Sequence, residues 1–332
     1  MEYIRLGKTE LSISRIGFGG IPIQRTEVDK IPQLFAALEK EGINYIDTAR
    51  GYTVSEAYIG NAIKGKREKY ILATKSMART AEAMAADIDI SLANLQTDYI
   101  DLYQIHNPSP QDLAKVLAPG GAMEALIAAK EAGKIGHIGL TCHLLEVFES
   151  AISIETVETI MFPYNLVETQ GEELIEKCRE KDIGFIAMKP LAGGAIENAD
   201  LAMRFILQNP AVSVVIPGMY SPEEVAQNAS ATGELTEEDL LEIEKIKSTL
   251  GSHFCRRCNY CAPCTVGINI PGVFLFQGYL ERYGLADWAK DRYGAMAKTA
   301  SDCIECGVCE GRCPYQLPIR EMMQKAKNAF GK

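Results

Sequence analysis

The sequence predicts a (β/α)8 barrel of the TIM type followed by a small C-terminal all-α domain, and three observations carry that prediction. Eight short apolar segments alternate with eight amphipathic ones within about 230 residues, the usual extent of such a barrel. Three of the apolar segments close on Asp47, Lys75 and His106, 28 and 31 residues apart, so a chemically loaded side chain ends each successive strand. Eight of the ten cysteines lie between residues 255 and 313, beyond the last of those segments.

The chain opens with RLGKTELSISRIGFGG, two short alternating stretches around a Gly-Lys-Thr-Glu turn. They read as a hairpin that plugs the barrel bottom, followed by a first barrel strand at Ile16–Gly19. The remaining strand candidates are Tyr45–Thr48, Tyr70–Lys75, Ile100–His106, His137–Cys142, Thr159–Asn165, Phe185–Lys189 and Val212–Pro217. Each is apolar throughout rather than alternating, as parallel strands covered on both faces must be. The helices expected between them are Ile31–Glu41, Ser55–Lys64, Ala81–Leu95, Ala122–Ala132, Leu144–Ser153, Glu172–Lys181, Asp200–Gln208 and Pro222–Ala229. A doubly wound sheet is the competing architecture, but no Gly-rich dinucleotide fingerprint follows the first strand. Thr236 opens a further helix with an acidic first turn, ending near Leu250-Gly251. There the composition changes, which divides the chain into a barrel, residues 1–250, and a cysteine-rich domain, residues 251–332. The latter has an aromatic middle (Phe274, Phe276, Tyr279, Tyr283, Trp288, Tyr293) and a closing basic helix from Pro318.

A 47% hydrophobic content describes a globular protein, and a formal charge of −10 does not suggest a nucleic-acid surface. The first residues, MEYIRLGKTELS, carry charge from the second position and no apolar signal core, and no stretch is apolar enough to span a bilayer. Cysteines crowded at one end of a chain without an export signal point to metal in a reducing cytoplasm rather than to disulfides.

Asp47, Lys75 and His106 should share one rim of the barrel, with Tyr52 delivered over them by the turn in INYIDTARGY. Reducing a carbonyl builds negative charge on oxygen and needs a proton donor aimed at it. A phenol with a pKa near about 10 is a reluctant acid, and an adjacent ammonium favours its ionised form. Asp47 would keep Lys75 charged, and His106 would hydrogen-bond the carbonyl or the phenol. Read singly, Asp47 is equally a loop cap, Lys75 its salt-bridge partner and His106 a rim residue; the four in register argue for catalysis. His143 ends a strand on the same rim, whereas His137 begins one and belongs to the opposite end.

The pieces IDTARGY, LATK, LYQIH, GLTCH, FPYN, AMKPLAGG and VIPG together make residues 1–250 resemble an aldo-keto reductase. That resemblance implies a catalytic tetrad of Asp47, Tyr52, Lys75 and His106 acting on a small carbonyl or alcohol substrate, with NAD(P)(H) as the expected cofactor. It also implies a nucleotide pocket along His143, Asn165, Met188, Lys189, Gly218, Met219 and Asn228. Several positions depart from the family pattern. Cys142 and Met161 stand where an Asn and a Gln hold the carboxamide, Met188 where an aromatic stacks on the nicotinamide, and Gly218, Met219 and Glu224 where Lys-Ser and Arg grip a 2′-phosphate. Asn165 and Asn228 are kept. The resemblance with these departures implies a barrel that is not an ordinary NADPH-dependent reductase, with a flavin as the alternative two-electron cofactor.

The cysteines read Cys255-x2-Cys258-x2-Cys261-x2-Cys264 and Cys303-x2-Cys306-x2-Cys309-x3-Cys313-Pro314. The second run is the bacterial [4Fe–4S] signature; the first is one residue short in its last spacing and lacks the proline. In two-cluster ferredoxins the fourth cysteine of each run serves the other cluster, which groups Cys255, Cys258 and Cys261 with Cys313, and Cys303, Cys306 and Cys309 with Cys264. Structural zinc is the alternative, but it ordinarily takes two CxxC pairs. The helical stretch between the runs resembles the α-helical ferredoxins of respiratory enzymes, so the C-terminal domain is expected to be ferredoxin-like and all-α. The expected whole is a cytoplasmic oxidoreductase with two [4Fe–4S] clusters. Its partners are a small substrate, a ferredoxin-like electron carrier and, as the assembly to test, a second copy of the chain. A catalytically idle barrel carrying an electron-transfer or redox-sensing module is the competing function.

Overall fold

The computed structural model describes residues 1–251 and 253–331. Ser252 and Lys332, at the edges of the expected cysteine-rich domain, lie outside the described residues. Strands β1 (Tyr3–Arg5) and β2 (Ser12–Ser14) form the antiparallel hairpin, with Glu10 in the left-handed region at its turn. Eight further strands follow, β3 (Phe18–Gly19), β4 (Tyr45–Asp47), β5 (Ile71–Ser76), β6 (Ile100–His106), β7 (Ile135–Thr141), β8 (Thr159–Pro163), β9 (Gly184–Met188) and β10 (Val214–Ile216). They pair in parallel in chain order from β3 to β10, and parallel bridges Ile16–Val215 and Gly19–Gly218 join the first strand to the last. The barrel predicted from the alternation is therefore present.

The helices between the strands are α1 (Ile31–Glu41), α2 (Ser55–Ala62), α3 (Ala81–Leu95), α4 (Pro110–Leu117), α5 (Ala122–Glu131), α6 (Leu145–Ala151), α7 (Glu172–Glu180), α8 (Ala199–Leu207) and α9 (Pro222–Ala229). Helix α4 breaks the strict alternation expected from the sequence. Its signal is local: Pro110 stands at its first turn and the Ser109 hydroxyl caps the Asp112 N–H at 3.1 Å. Thr80, Asn198 and Ser221 cap α3, α8 and α9 in the same way.

The barrel interior is filled by Tyr45, Ala73, Leu102, Met161, Ile186, Met188, Val214 and Ile216, closed by Leu6 and Ile13 of the hairpin. Gly184 is required there, because a Cβ at that position would lie 2.6 Å from the Leu6 side chain. Tyr45, Ala73 and Leu102 all point inward, so the period of two along each strand aims Asp47, Lys75, Gln104 and His106 inward as well. A second apolar layer lies between strands and helices, with Phe148 packed on Phe162 and Phe185.

The second compact unit comprises residues from Leu235 onward together with Leu166–Glu168 and Leu191–Glu197. It contains α10 (Glu237–Gly251), α11 (Ile270–Glu281), α12 (Ala286–Gly294), α13 (Val308–Arg312) and α14 (Ile319–Phe330), and no strand among the described residues. Its core joins Ile270, Val273, Phe274, Tyr293, Ile319 and Met323, with Tyr293 stacked on Phe330 at 3.7 Å. No helix among the described residues is long and apolar enough to cross a membrane.

Candidate active site and cysteine cavities

The register of β4 against β5 sets Asp47 beside Ala73, two residues short of Lys75, and β5 against β6 sets Lys75 beside Gln104. The consequence is a buried ion pair: Lys75 Nζ lies 2.5 Å from Asp47 Oδ2, with both side chains no more than 3% exposed. Lys75 also donates to the Thr48 carbonyl at 2.8 Å, and Gln104 Nε2 donates to Asp47 Oδ1 at 3.2 Å. Burial raises the Asp47 pKa and lowers that of Lys75, while their mutual attraction opposes each shift.

Tyr52 arrives over this pair. The Lys75 ammonium is 4.9 Å from the Tyr52 ring centroid, and the His106 ring meets Tyr52 edge-on at 6.1 Å. Burial pushes the His106 imidazole well below its ordinary range, and the charges of Lys75, Arg79 and Lys189 push it further, so it is neutral at physiological pH. The structure thus brings Asp47, Tyr52, Lys75 and His106 together. His143 stands beside them, its Nδ1 3.0 Å from Asn107 Oδ1. His137 belongs to the other end of β7, where it meets Glu158 at 2.7 Å.

The turn that carries Tyr52 is held by further polar residues that no sequence motif marks. Ser55 links Thr48 to the Gly20 carbonyl through its hydroxyl, and its own N–H donates to the Tyr52 carbonyl at 2.9 Å. Glu56, 1% exposed, accepts from Arg50, Thr74, Ser91 and Asn94, and Arg50 in turn reaches Asp87. Only the Ser55-Glu56 pair at the head of α2 hinted at this, and it reads equally as an ordinary acidic first turn. Thr53, Asn107 and Lys189, each just past a rim residue, adopt positive φ of 45°, 47° and 57°. For a β-branched residue such as Thr53 that conformation is strained, and strain of this kind clusters at functional sites.

The expected nucleotide-pocket residues divide into two groups. Asn165, fully buried, donates to the Lys189 carbonyl at 2.9 Å; Met188 ends β9 and Lys189 follows it. At the end of β10, Gly218 allows close approach, since a Cβ there would lie 2.7 Å from Pro22. The Met219 side chain is fully buried, as are those of Cys142 and Met161, so these side chains line core rather than an open pocket. Asn228, 4% exposed, holds a buried Oδ1 without a hydrogen-bond partner. Glu224 accepts the Tyr220 N–H at 2.9 Å at the start of α9, while Arg25 lies 4.2 Å over the Tyr220 ring. A carboxylate there repels an anion, and the Arg25 charge nearby offsets part of that repulsion.

None of the ten cysteines forms a disulfide. Cys255, Cys258, Cys261 and Cys313 line one cavity with Pro314 and Tyr315. Cys264, Cys303, Cys306 and Cys309 line another with Ile304 and Val308. Among the described residues no three His, Cys, Asp or Glu side chains converge on one point as ligands of a single ion. The two sets of four cysteines that the spacing groups together therefore each surround one cavity.

Comparison with known proteins adds the following. The model of the "Aldo/keto reductase family" matches residues 15–201, and that of the "4Fe-4S dicluster domain" matches residues 254–318. The chain is 37% identical over 195 residues to aldo-keto reductase YhdN of Bacillus subtilis, a match covering 53% of this chain and 57% of that one. It is 28% identical over 303 residues to L-galactose dehydrogenase of Arabidopsis thaliana, covering 74% of this chain and 94% of the relative. Among solved structures it is similar to the holo form of aldo-keto reductase AKR11C1 from Bacillus halodurans, with a TM-score of 0.66 and 26% identity over 74% of this chain and 96% of that one.

Proposed function

Because the chain belongs to the aldo/keto reductase family and is an oxidoreductase with a 4Fe–4S dicluster domain, we propose that it interconverts a small carbonyl and its alcohol using electrons that pass through two [4Fe–4S] clusters. The observation that carries this reading is the buried Lys75–Asp47 pair with its ammonium 4.9 Å from the Tyr52 ring. In this reading Tyr52 gives its phenolic proton to the carbonyl oxygen as charge develops there, and Lys75 stabilises the resulting phenolate. Asp47, held by Gln104, keeps Lys75 charged and oriented. His106, neutral through burial, hydrogen-bonds the substrate oxygen without competing for the proton.

The proposed module boundaries, residues 1–250 for the barrel and 251–332 for the cluster domain, follow the change in composition, whereas the contacts of the fold group α10 with the second compact unit; the protein is proposed to be cytoplasmic. Cys255, Cys258, Cys261 and Cys313 would hold one cluster and Cys264, Cys303, Cys306 and Cys309 the other. Each bound cluster supplies one electron at a time. Nicotinamide delivers two electrons as a hydride, so a group able to hold one electron, such as a flavin, or a substrate that tolerates a radical step is needed between them. Glu224 and the buried Met219 argue against NADPH in that position. Asn165, Met188, Lys189 and the Gly218 turn are the residues proposed to line whichever two-electron cofactor binds, with His143 at the substrate side. A ferredoxin-like carrier is the proposed electron source.

The test is anaerobic. The protein should carry about eight iron atoms per chain, and reduced viologen should bleach the cluster absorbance where NADPH does not. Tyr52→Phe should lose about 10²–10⁴-fold in turnover with that absorbance intact. Tight NADPH binding with turnover indifferent to cluster removal, or a Phe variant near full activity, would defeat the reading.

A further inference from the structure

Arg257 lies between Cys255 and Cys258, with its backbone in the left-handed region at φ 57°. Its guanidinium donates to the Cys255 carbonyl at 3.4 Å and forms an ion pair with Glu168. The Glu168 side chain is 0% exposed and that of Arg257 12%. The neighbouring Arg256 donates to the Val167 carbonyl at 2.8 Å and stacks 4.0 Å over Tyr315, two residues beyond Cys313. Both arginines of the Cys-Arg-Arg-Cys step therefore grip the segment Leu166–Glu168, which belongs to the same compact unit.

Anchoring that segment does not require buried charge. The Arg256 bond to a main-chain carbonyl already does so, and an apolar pair of equal volume usually serves stability as well as a buried ion pair. What a buried charge does better is act over distance, because in an enclosed, poorly polarisable site its field is little screened. The second cysteine cavity is lined by an arginine too, but a more exposed one. Its ion pair, Arg320–Glu310, is 51% and 23% exposed, and Cys306 is an exposed thiol.

We infer that Arg257 and Glu168 set the reduction potential of the cluster in the cavity of Cys255, Cys258, Cys261 and Cys313, an inference resting on the reading of those thiols as its ligands. Reduction adds one negative charge to that cavity. Arg257, the member of the pair that touches the Cys255 main chain, stabilises the added charge, and Glu168 beyond it moderates the effect. The two residues act as positioned charges of opposite sign on one redox site.

The experiment is an anaerobic redox titration of the full-length protein followed by electron paramagnetic resonance, with both midpoints resolved. Arg257→Gln should lower one midpoint and Glu168→Gln should raise the same one. Each should change the reduced-to-oxidised ratio at fixed poise by about tenfold, which is about 59 mV for a one-electron couple. Arg257→Lys should restore most of the loss, and the other midpoint should stay in place. A merely structural role predicts shifts of one sign, or none. Should Arg257→Gln fail to assemble, Glu168→Gln and Arg257→Lys still decide: an unmoved or lowered midpoint in Glu168→Gln overturns the inference. A wild-type protein with half the expected iron and a harmless Cys258→Ser overturns the ligand reading and the inference with it. A full cluster whose midpoint ignores both charges overturns the inference alone.

Discussion

Asp47→Asn should destabilise the barrel by about 3–5 kcal/mol, the usual cost of stripping one partner from a buried ion pair. At 2.5 Å and an effective dielectric of about 20, the gross attraction between Lys75 and Asp47 is about 7 kcal/mol. Most of that offsets the desolvation of two side chains that are no more than 3% exposed. Removing the carboxylate leaves the ammonium with neutral acceptors, the Thr48 carbonyl and the new carboxamide oxygen, and no opposite charge beside it. Lys75→Met should carry a cost of the same order, since Asp47 then keeps Gln104 alone. The double variant should cost less than the two singles added, by about 2–3 kcal/mol. The sign with pH follows from burial. In Asp47→Asn, Lys75 has a folded-state pKa below its unfolded value of 10.5, so the folded state releases its proton first. The penalty is then largest below the folded-state pKa and shrinks as pH rises toward 10.5. Urea titrations followed by far-UV circular dichroism report both units together, while fluorescence of Trp288, the single tryptophan, follows the helical unit, so the barrel transition is the part of the dichroism change that the fluorescence does not share. Additivity within about 0.5 kcal/mol, or a penalty that grows with pH, would refute the pairing.

Three further outcomes are expected. Glu56→Gln places an amide donor among four donors, so it should cost about 1–3 kcal/mol and speed hydrogen exchange across residues 48–54, both measurable without a substrate. Leu6→Ala should cost about 2–5 kcal/mol by emptying the hairpin plug, and Gly184→Ala about 1–3 kcal/mol by driving a methyl into Leu6, as urea midpoints will register. Stripping iron with a chelator should lower the Trp288-reported transition and leave the barrel transition in place, because the cysteines pack against the helical unit's own core.

What the sequence determined by itself is what depends on local period and spacing. Continuous apolar strands flanked by amphipathic helices can be covered on both faces in few ways, so the barrel was legible from residues 1–230. The same period aimed Asp47, Lys75 and His106 inward from three successive strand ends, and the cysteine spacings announced iron–sulfur chemistry without any fold. Helix α4 is equally local, written in Ser109-Pro110 and its cap. The tertiary structure decided what depends on residues meeting across long stretches of chain. Gln104 joins Asp47 across 57 residues, Glu56 gathers donors up to 38 residues away, and Arg257 reaches Glu168 across 89. A glutamine in an apolar strand or a glutamate in a helix's first turn carries no mark of its partner. Its desolvation has to be compensated by whichever polar group the closed barrel or packed helices bring alongside, and that group is selected only when the chain folds.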